Sequence, residues 1–147
     1  MKKQAVLFLC TGNSARSQMA EAILKAEAGD RFDVYSAGMD PRPAIHPLAI
    51  EVMREIGLDL SGQSPKSISR FLGKVAIHHP IAVCAAAEGQ CSRVWPFGGT
   101  MIGWAIDDPA AVEGSEEECL DAFRRARDAV QARITEWLSS LPRGATS

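Results

Sequence analysis

The octapeptide CTGNSARS at residues 10–17 constrains this chain more than any other stretch of it. An apolar, strand-like run from Ala5 to Leu9 leads into it, and helix-forming sequence from Ser17 to about Ala28 follows at once. The small and polar residues between Cys10 and Arg16 suit a tight loop joining a strand end to a helix start. In such a loop several backbone N–H groups converge on one anion, and the helix dipole adds partial positive charge. Arg16 offers a planar fork to two oxygens of a tetrahedral oxyanion, and the same field favours a thiolate at Cys10. The reading is a substrate cradle made of Thr11, Gly12, Asn13, Ser14, Ala15 and Arg16 that carries its own nucleophile, Cys10. Cysteine is often only a small hydrophobe, and Cys-x5-Arg alone is a modest pattern. The strand before it and the helix after it sharpen the assignment.

With 147 residues, 46% of them hydrophobic and 23% charged, the chain suits one domain with a sizeable core. That domain is expected over residues 1–142, with a disordered tail at 143–147. A net charge of −2 and the lack of a basic stripe argue against nucleic-acid binding. The opening MKKQAVLFLC imitates a signal peptide, but its apolar run is short and leads into the anion loop, so it reads as a first strand. No stretch is long enough to span a membrane. A cytoplasmic monomer is the default expectation. Thiols stay reduced there, so four cysteines suggest chemistry or metal rather than a static disulfide framework.

Beyond the loop, strands and helices alternate. Phe32 to Ser36 reads as a second strand, closed by Ala37 and Gly38. Residues 47–56 read as a helix, with Pro47 at its first position, Gly57 just past its end, and Ala49, Val52, Met53 and Ile56 as its apolar face. A shorter helix is expected next, capped by Ser64, with Pro65 at its first position and Gly73 after it. Ile81 to Cys84, entered through Pro80, reads as a third strand, and Met101 to Ile106 as a fourth. The last helix runs from about Glu116 to Leu141. Ser115 and Glu118 form a capping box, acidic residues come first and basic ones later, and Leu120, Phe123, Val130, Ile134, Trp137 and Leu141 line one face. This alternation predicts an α/β fold with a parallel sheet covered on both faces. Ligands of such sheets bind beyond the carboxyl ends of the strands, where Cys10 sits.

Three further features carry chemistry. Cys84 ends the third strand and should emerge at the same sheet edge as Cys10. Cys91 follows across AAAEGQ. If that segment is helical, the two cysteines lie two turns, about 10 Å, apart on one face. A disulfide needs Cα atoms about 4.4–6.8 Å apart, so bonding them requires unwinding, for which Gly89 is the weak point. Asp107-Asp108-Pro109 follows the fourth strand. A thiolate attacking an oxyanion needs an acid for the departing oxygen, and a bound anion alongside helps keep such a carboxyl protonated. His78 and His79 are adjacent and point to opposite faces of a strand, which suits metal binding poorly. Cys119, on the last helix, reads as a bystander. Trp95 and Phe97 fit either core anchors or an exposed docking patch.

With Cys10, Arg16, Cys84, Cys91 and the Asp-Asp-Pro element placed, nearly the whole chain resembles the thioredoxin-coupled arsenate reductases, which share the fold of the low-molecular-weight protein tyrosine phosphatases. CTGNSARSQMAE at 10–21 is the most specific piece, Gln18 standing where phosphatases usually carry Pro; VYSAG at 34–38 and DDPA at 107–110 also match. The resemblance implies a three-layer, four-stranded parallel sheet flanked by helices. It implies that Cys10 attacks arsenic, that Arg16 and the amides of 11–16 hold the oxyanion, that Ser17 hydrogen-bonds the Cys10 thiolate, that Asn13 braces the loop, and that Asp108 is the acid. It further implies a transient Cys10–Cys84 disulfide that releases arsenite, then a Cys84–Cys91 disulfide reduced by thioredoxin, with no bound cofactor. No metal is expected, because the position completing a potassium site in some relatives falls at Lys66, a cation. Two departures stand out: Ser92 where Pro usually follows the resolving cysteine, and HHPIAVC where acidic residues usually open the strand before Cys84. Loop, arginine and acid would serve phosphate esters equally, so a phosphatase is an alternative, although Ala111 stands where phosphatases often place an aromatic residue. A non-catalytic redox sensor is a third reading.

Overall fold

The computed structural model describes residues 3–84 and 101–141, except the side chain of Cys84. Cys91, the 85–90 segment, Ser92, Trp95, Phe97 and the 143–147 tail lie outside the described residues.

Four strands, β1 (Gln4–Cys10), β2 (Phe32–Gly38), β3 (His79–Cys84) and β4 (Ile102–Ala105), form one sheet in the order β2-β1-β3-β4. Every pairing is parallel, with Cys10 opposite Gly38, Leu9 opposite Ala82, and Cys84 opposite Ala105. The order reverses at β1: the chain first moves outward to β2, then returns to the other side of β1 at β3. Parallel sheets open a crevice beyond the carboxyl ends of the strands at such a switch point, and Cys10 is the last residue of β1.

Alternation along β1 assigns its side chains to two cores. Val6 and Phe8 face the larger one, built with the helices α1 (Arg16–Ala28), α2 (Pro47–Glu55) and α3 (Glu116–Ser140). Leu7 and Leu9 face a smaller one with Ala37, Ala82, Phe71 and Met101. Among the described residues that second face is covered by a 3-10 turn at Ile68–Arg70 and the chain following it.

The helix expected from Ser64 is therefore shortened to this turn, and its cap is Ser67. The backbone of residues 64–66 is committed elsewhere. Ser64 O accepts from Gln18 Nε2, Lys66 N–H donates to Asn13 Oδ1, and Lys66 O accepts from Gly38 N. Bonds to these distant partners hold the segment out of helical geometry. Ile56 is likewise not part of the α2 core face. The helix ends at Glu55, Gly57 turns the chain at φ 81°, and Ile56 is left 37% exposed while Ala49, Val52 and Met53 are fully buried.

The capping box of α3 is present in both directions, Ser115 Oγ accepting from Glu118 N–H and Glu118 Oε1 accepting from Ser115 N–H. Its buried stripe is Ala122, Phe123, Ala126, Val130, Ile134 and Trp137, with Leu120 and Leu141 at the margin. Arg124 and Arg127 both grip Glu55, clamping α3 to α2. The two guanidiniums hold the Glu55 carboxyl down at about 2. His79 Nε2 donates to Gln4 Oε1 at 2.8 Å, and the ring lies edge-on to Phe32 and Trp137. Among the described residues no helix is long and apolar enough to cross a membrane.

Two outcomes follow from this packing. Ile134→Ala, at a fully buried site, is expected to cost about 2–5 kcal/mol in urea denaturation; a negligible loss would show that α3 is not integral to the core. Burial holds the His79 imidazolium below its ordinary range. A depressed folded value means stability present above the unfolded value of about 6.5 and lost as pH falls through the folded one. Stability should thus decline as pH falls below about 6.5, and less steeply in His79→Gln; an equal slope in the variant would contradict this.

Candidate active site

Residues 10–15 lead from β1 into α1, and four of their carbonyls are held by the segment that follows β2. Cys10 O, Thr11 O, Gly12 O and Ser14 O accept from the N–H groups of Met39, Asp40, Arg42 and His46 at 2.9–3.3 Å. A carbonyl pulled outward turns the following N–H toward the concave side, which is what an anion cradle requires. Asn13 takes a left-handed φ of 49°, a conformation asparagine tolerates. Gly38, opposite Cys10, must be small: a Cβ there would lie 2.6 Å from Thr11 O and 3.0 Å from Asn13 N.

The Cys10 sulfur is buried and hydrogen-bonded. Ser17 Oγ lies 2.9 Å away, and Asn13 N–H donates to it at 3.2 Å. Asn13 Nδ2 donates to Ser17 Oγ at 2.7 Å and to Ser36 Oγ at 3.0 Å, and Ser36 Oγ donates to Glu21 Oε1. Glu21 is buried, and two ammoniums answer its charge. Lys25 Nζ donates to Oε2, and Lys66 Nζ lies 3.8 Å from Oε1. Burial pushes the Lys66 ammonium below its ordinary range, and attraction to Glu21 opposes this.

Arg16 is buried, its Nη1 donating to Ile106 O at 2.9 Å and its Nη2 lying 3.9 Å from Asp108 Oδ2. Asp108 caps a 3-10 turn, Pro109–Ala111, its Oδ1 accepting from Ala110 N–H. Cys10, Arg16 and Asp108 line one cleft of about 830 Å³, while Asp107 is exposed and does not line it. The backbone of Cys84 ends β3, directly beside β1. His78 Nδ1 accepts from Ala5 N–H, and Cys119 lies far along the chain on α3. Among the described residues no cluster of histidine, cysteine and carboxylate side chains is placed to hold a metal ion.

Sequence reasoning gave no role to the 39–46 segment, which holds the loop carbonyls, nor to two residues there that line the cleft, Arg42 and His46. MDPRPAIH carries no hydrophobic period, so only its prolines distinguished it. The His46 ring stacks on Phe123 at 4.6 Å, and its Nδ1 accepts from Leu48 N–H. Burial lowers its basicity, opposed by Asp108.

Gly38→Ala is expected to distort the loop from behind and to lower both stability and oxyanion affinity. Isothermal titration with phosphate would check this, and wild-type affinity would show that the loop does not depend on that close approach.

The low molecular weight phosphotyrosine protein phosphatase model matches residues 5–146. An arsenate reductase of Halalkalibacterium halodurans is 42% identical over 134 residues, 91% of this chain and 94% of its own. A solved arsenate reductase in its phosphate-binding state superposes with a TM-score of 0.76 at 29% identity, covering 95% of this chain and 99% of that one. The Corynebacterium glutamicum thioredoxin-dependent arsenate reductase superposes with a TM-score of 0.69 at 28% identity, covering 94% of this chain and 61% of that one. With its four-stranded parallel sheet and its cysteine-headed loop at the switch point, the chain belongs to the low molecular weight phosphotyrosine protein phosphatase family, together with these arsenate reductases.

Proposed function

We propose that the protein reduces arsenate to arsenite in the cytoplasm, through a Cys10–Cys84–Cys91 thiol relay recycled by thioredoxin. The observation that carries this reading is the placement of the Cys10 sulfur. It lies within hydrogen-bond reach of Ser17 Oγ and Asn13 N–H, at the end of the strand beside the one that terminates in Cys84. The relatives' shared activity supports the substrate, and the Corynebacterium glutamicum enzyme supports the reductant.

Each step then follows from charge and bonding. The amides of 11–16 and the Arg16 fork hold arsenate. The Cys10 thiolate attacks arsenic, an As–S bond forms, and one oxygen leaves as water with a proton from Asp108. The Cys84 thiolate attacks the Cys10 sulfur. A disulfide forms while the As–S electron pair stays on arsenic, which departs as arsenite. Cys91 next attacks Cys84, restoring the Cys10 thiolate. The two electrons lost by the protein leave on arsenic, and the Cys84–Cys91 disulfide is the oxidised form that a thioredoxin dithiol reduces with two new electrons.

Phosphate-ester hydrolysis is the second reading, favoured by the family and by a loop that fits any tetrahedral oxyanion. The cleft wall beside Asp108 is formed by Ala110 and Ala111, and no Phe, Tyr or Trp among the described residues lines it. A phosphotyrosine ring would find little to stack on there.

The cysteines separate the readings. Cys10→Ser is expected to abolish both arsenate reduction and any aryl-phosphate hydrolysis. Cys84→Ser and Cys91→Ser should each abolish thioredoxin-coupled reduction and spare residual hydrolysis, because water alone can return the Cys10 thiolate after phosphate transfer. Normal arsenate reduction in both variants would overturn the relay, and reactive cysteines without turnover of either substrate would favour a sensor. Asp108→Asn should slow the first chemical step by about 10²–10⁴ in single-turnover kinetics, and Asp107→Asn far less; the reverse ranking would reassign the acid.

A further inference from the structure

Behind the anion loop a buried amide, Gln18, meets a half-buried one, Gln63. Gln18, fully buried in the first turn of α1, directs its Nε2 to Asn13 O, Asn13 Oδ1 and Ser64 O at 2.9–3.0 Å. Its Oε1 accepts from Gln63 Nε2 at 2.7 Å, and the same Gln63 amide donates to the backbone oxygen of Gln18 at 3.1 Å.

Backbone groups fix the direction of every bond in this array, because a carbonyl can only accept and an N–H can only donate. The Gln18 carbonyl requires Gln63 to present its NH₂. That NH₂ requires Gln18 to turn Oε1 toward it, and so to turn Nε2 toward the carbonyls of Asn13 and Ser64. The Lys66 N–H requires Asn13 to present Oδ1, 2.8 Å away. Asn13 Nδ2 is thereby aimed at Ser17 and Ser36. Ser36 donates its own hydrogen bond to Glu21 Oε1. Ser17 accepts from Asn13, and its own proton is left for the sulfur of Cys10, 2.9 Å away.

We infer that Gln63 is a positioning residue for the nucleophile: acting through Gln18 on Asn13, together with the Lys66 N–H, it holds the Ser17 hydroxyl as a donor to the Cys10 thiolate. Gln63 is not among the residues lining the cleft. The inference rests on the reading of Cys10 as the nucleophile.

The test is the pH profile of Cys10 alkylation by iodoacetamide in the full-length reduced protein, followed on the Cys10 peptide by mass spectrometry. Gln63→Glu is nearly isosteric and removes the donor; Gln63→Leu removes it without adding charge and serves if the first variant does not fold. The expected result is an alkylation rate about tenfold lower near pH 6, with the plateau at high pH unchanged, as for a weakened charge-assisted hydrogen bond. In arsenate reduction kcat should fall more than KM rises. A merely structural role would lower the melting temperature and leave the profile in place. If wild-type Cys10 reacts readily near pH 6 and the folded variants match it, the inference is overturned alone. A wild-type Cys10 without enhanced reactivity at low pH would overturn the nucleophile reading, and this inference with it.

Discussion

The outward pull on the carbonyls of Cys10, Thr11, Gly12 and Ser14 gives the anion loop its shape. Left to itself, a run of small residues between a strand and a helix has many conformations. Ordering it costs about 1–2 kcal/mol of backbone entropy per residue. Four hydrogen bonds from one neighbouring segment hold the loop in place. They also fix the sense of each peptide plane, so the cradle is assembled before any anion arrives. Preorganised dipoles are worth most when nothing must turn at the moment of reaction.

A second constraint lies beneath that one. The sulfur at the cleft, the serines at 17 and 36, Asn13 and Glu21 form a chain of buried polar groups. A buried carboxylate is tolerated only when its charge is answered. Here Lys25 answers from the helix turn, and Lys66 answers from a segment more than forty residues further on. The ammonium of Lys66 brings its positive charge covalently, tied to the same stretch of chain whose backbone holds Asn13.

The readable part of the sequence was the part written in periodicity and punctuation. β1, α2 and α3 announced themselves through apolar spacing, Pro47, Gly57 and the Ser115–Glu118 box, and the loop through Cys10 and Arg16 on its shoulders. The elements that deviated were those whose backbone serves the site. Ser64, Pro65 and Gly73 carry helix punctuation, yet residues 64–66 stay extended because Gln18, Asn13 and Gly38 claim their peptide groups. Tertiary demand of that kind leaves no local trace. The same holds for Arg42, His46 and Gln63, polar residues in aperiodic stretches whose partners lie far off in the chain.

Arg16 has a geometric consequence of its own. β1 and β4 are not neighbours; β3 lies between them, placing the two strands about 10 Å apart. The nucleophile belongs to one and the Asp108 carboxyl follows the other, 98 residues away along the chain. The Arg16 guanidinium spans this gap, fixed to the Ile106 carbonyl at its far end and facing Asp108 beside it. It works as a caliper: the opening between sulfur and acid is gauged by the reach of one side chain.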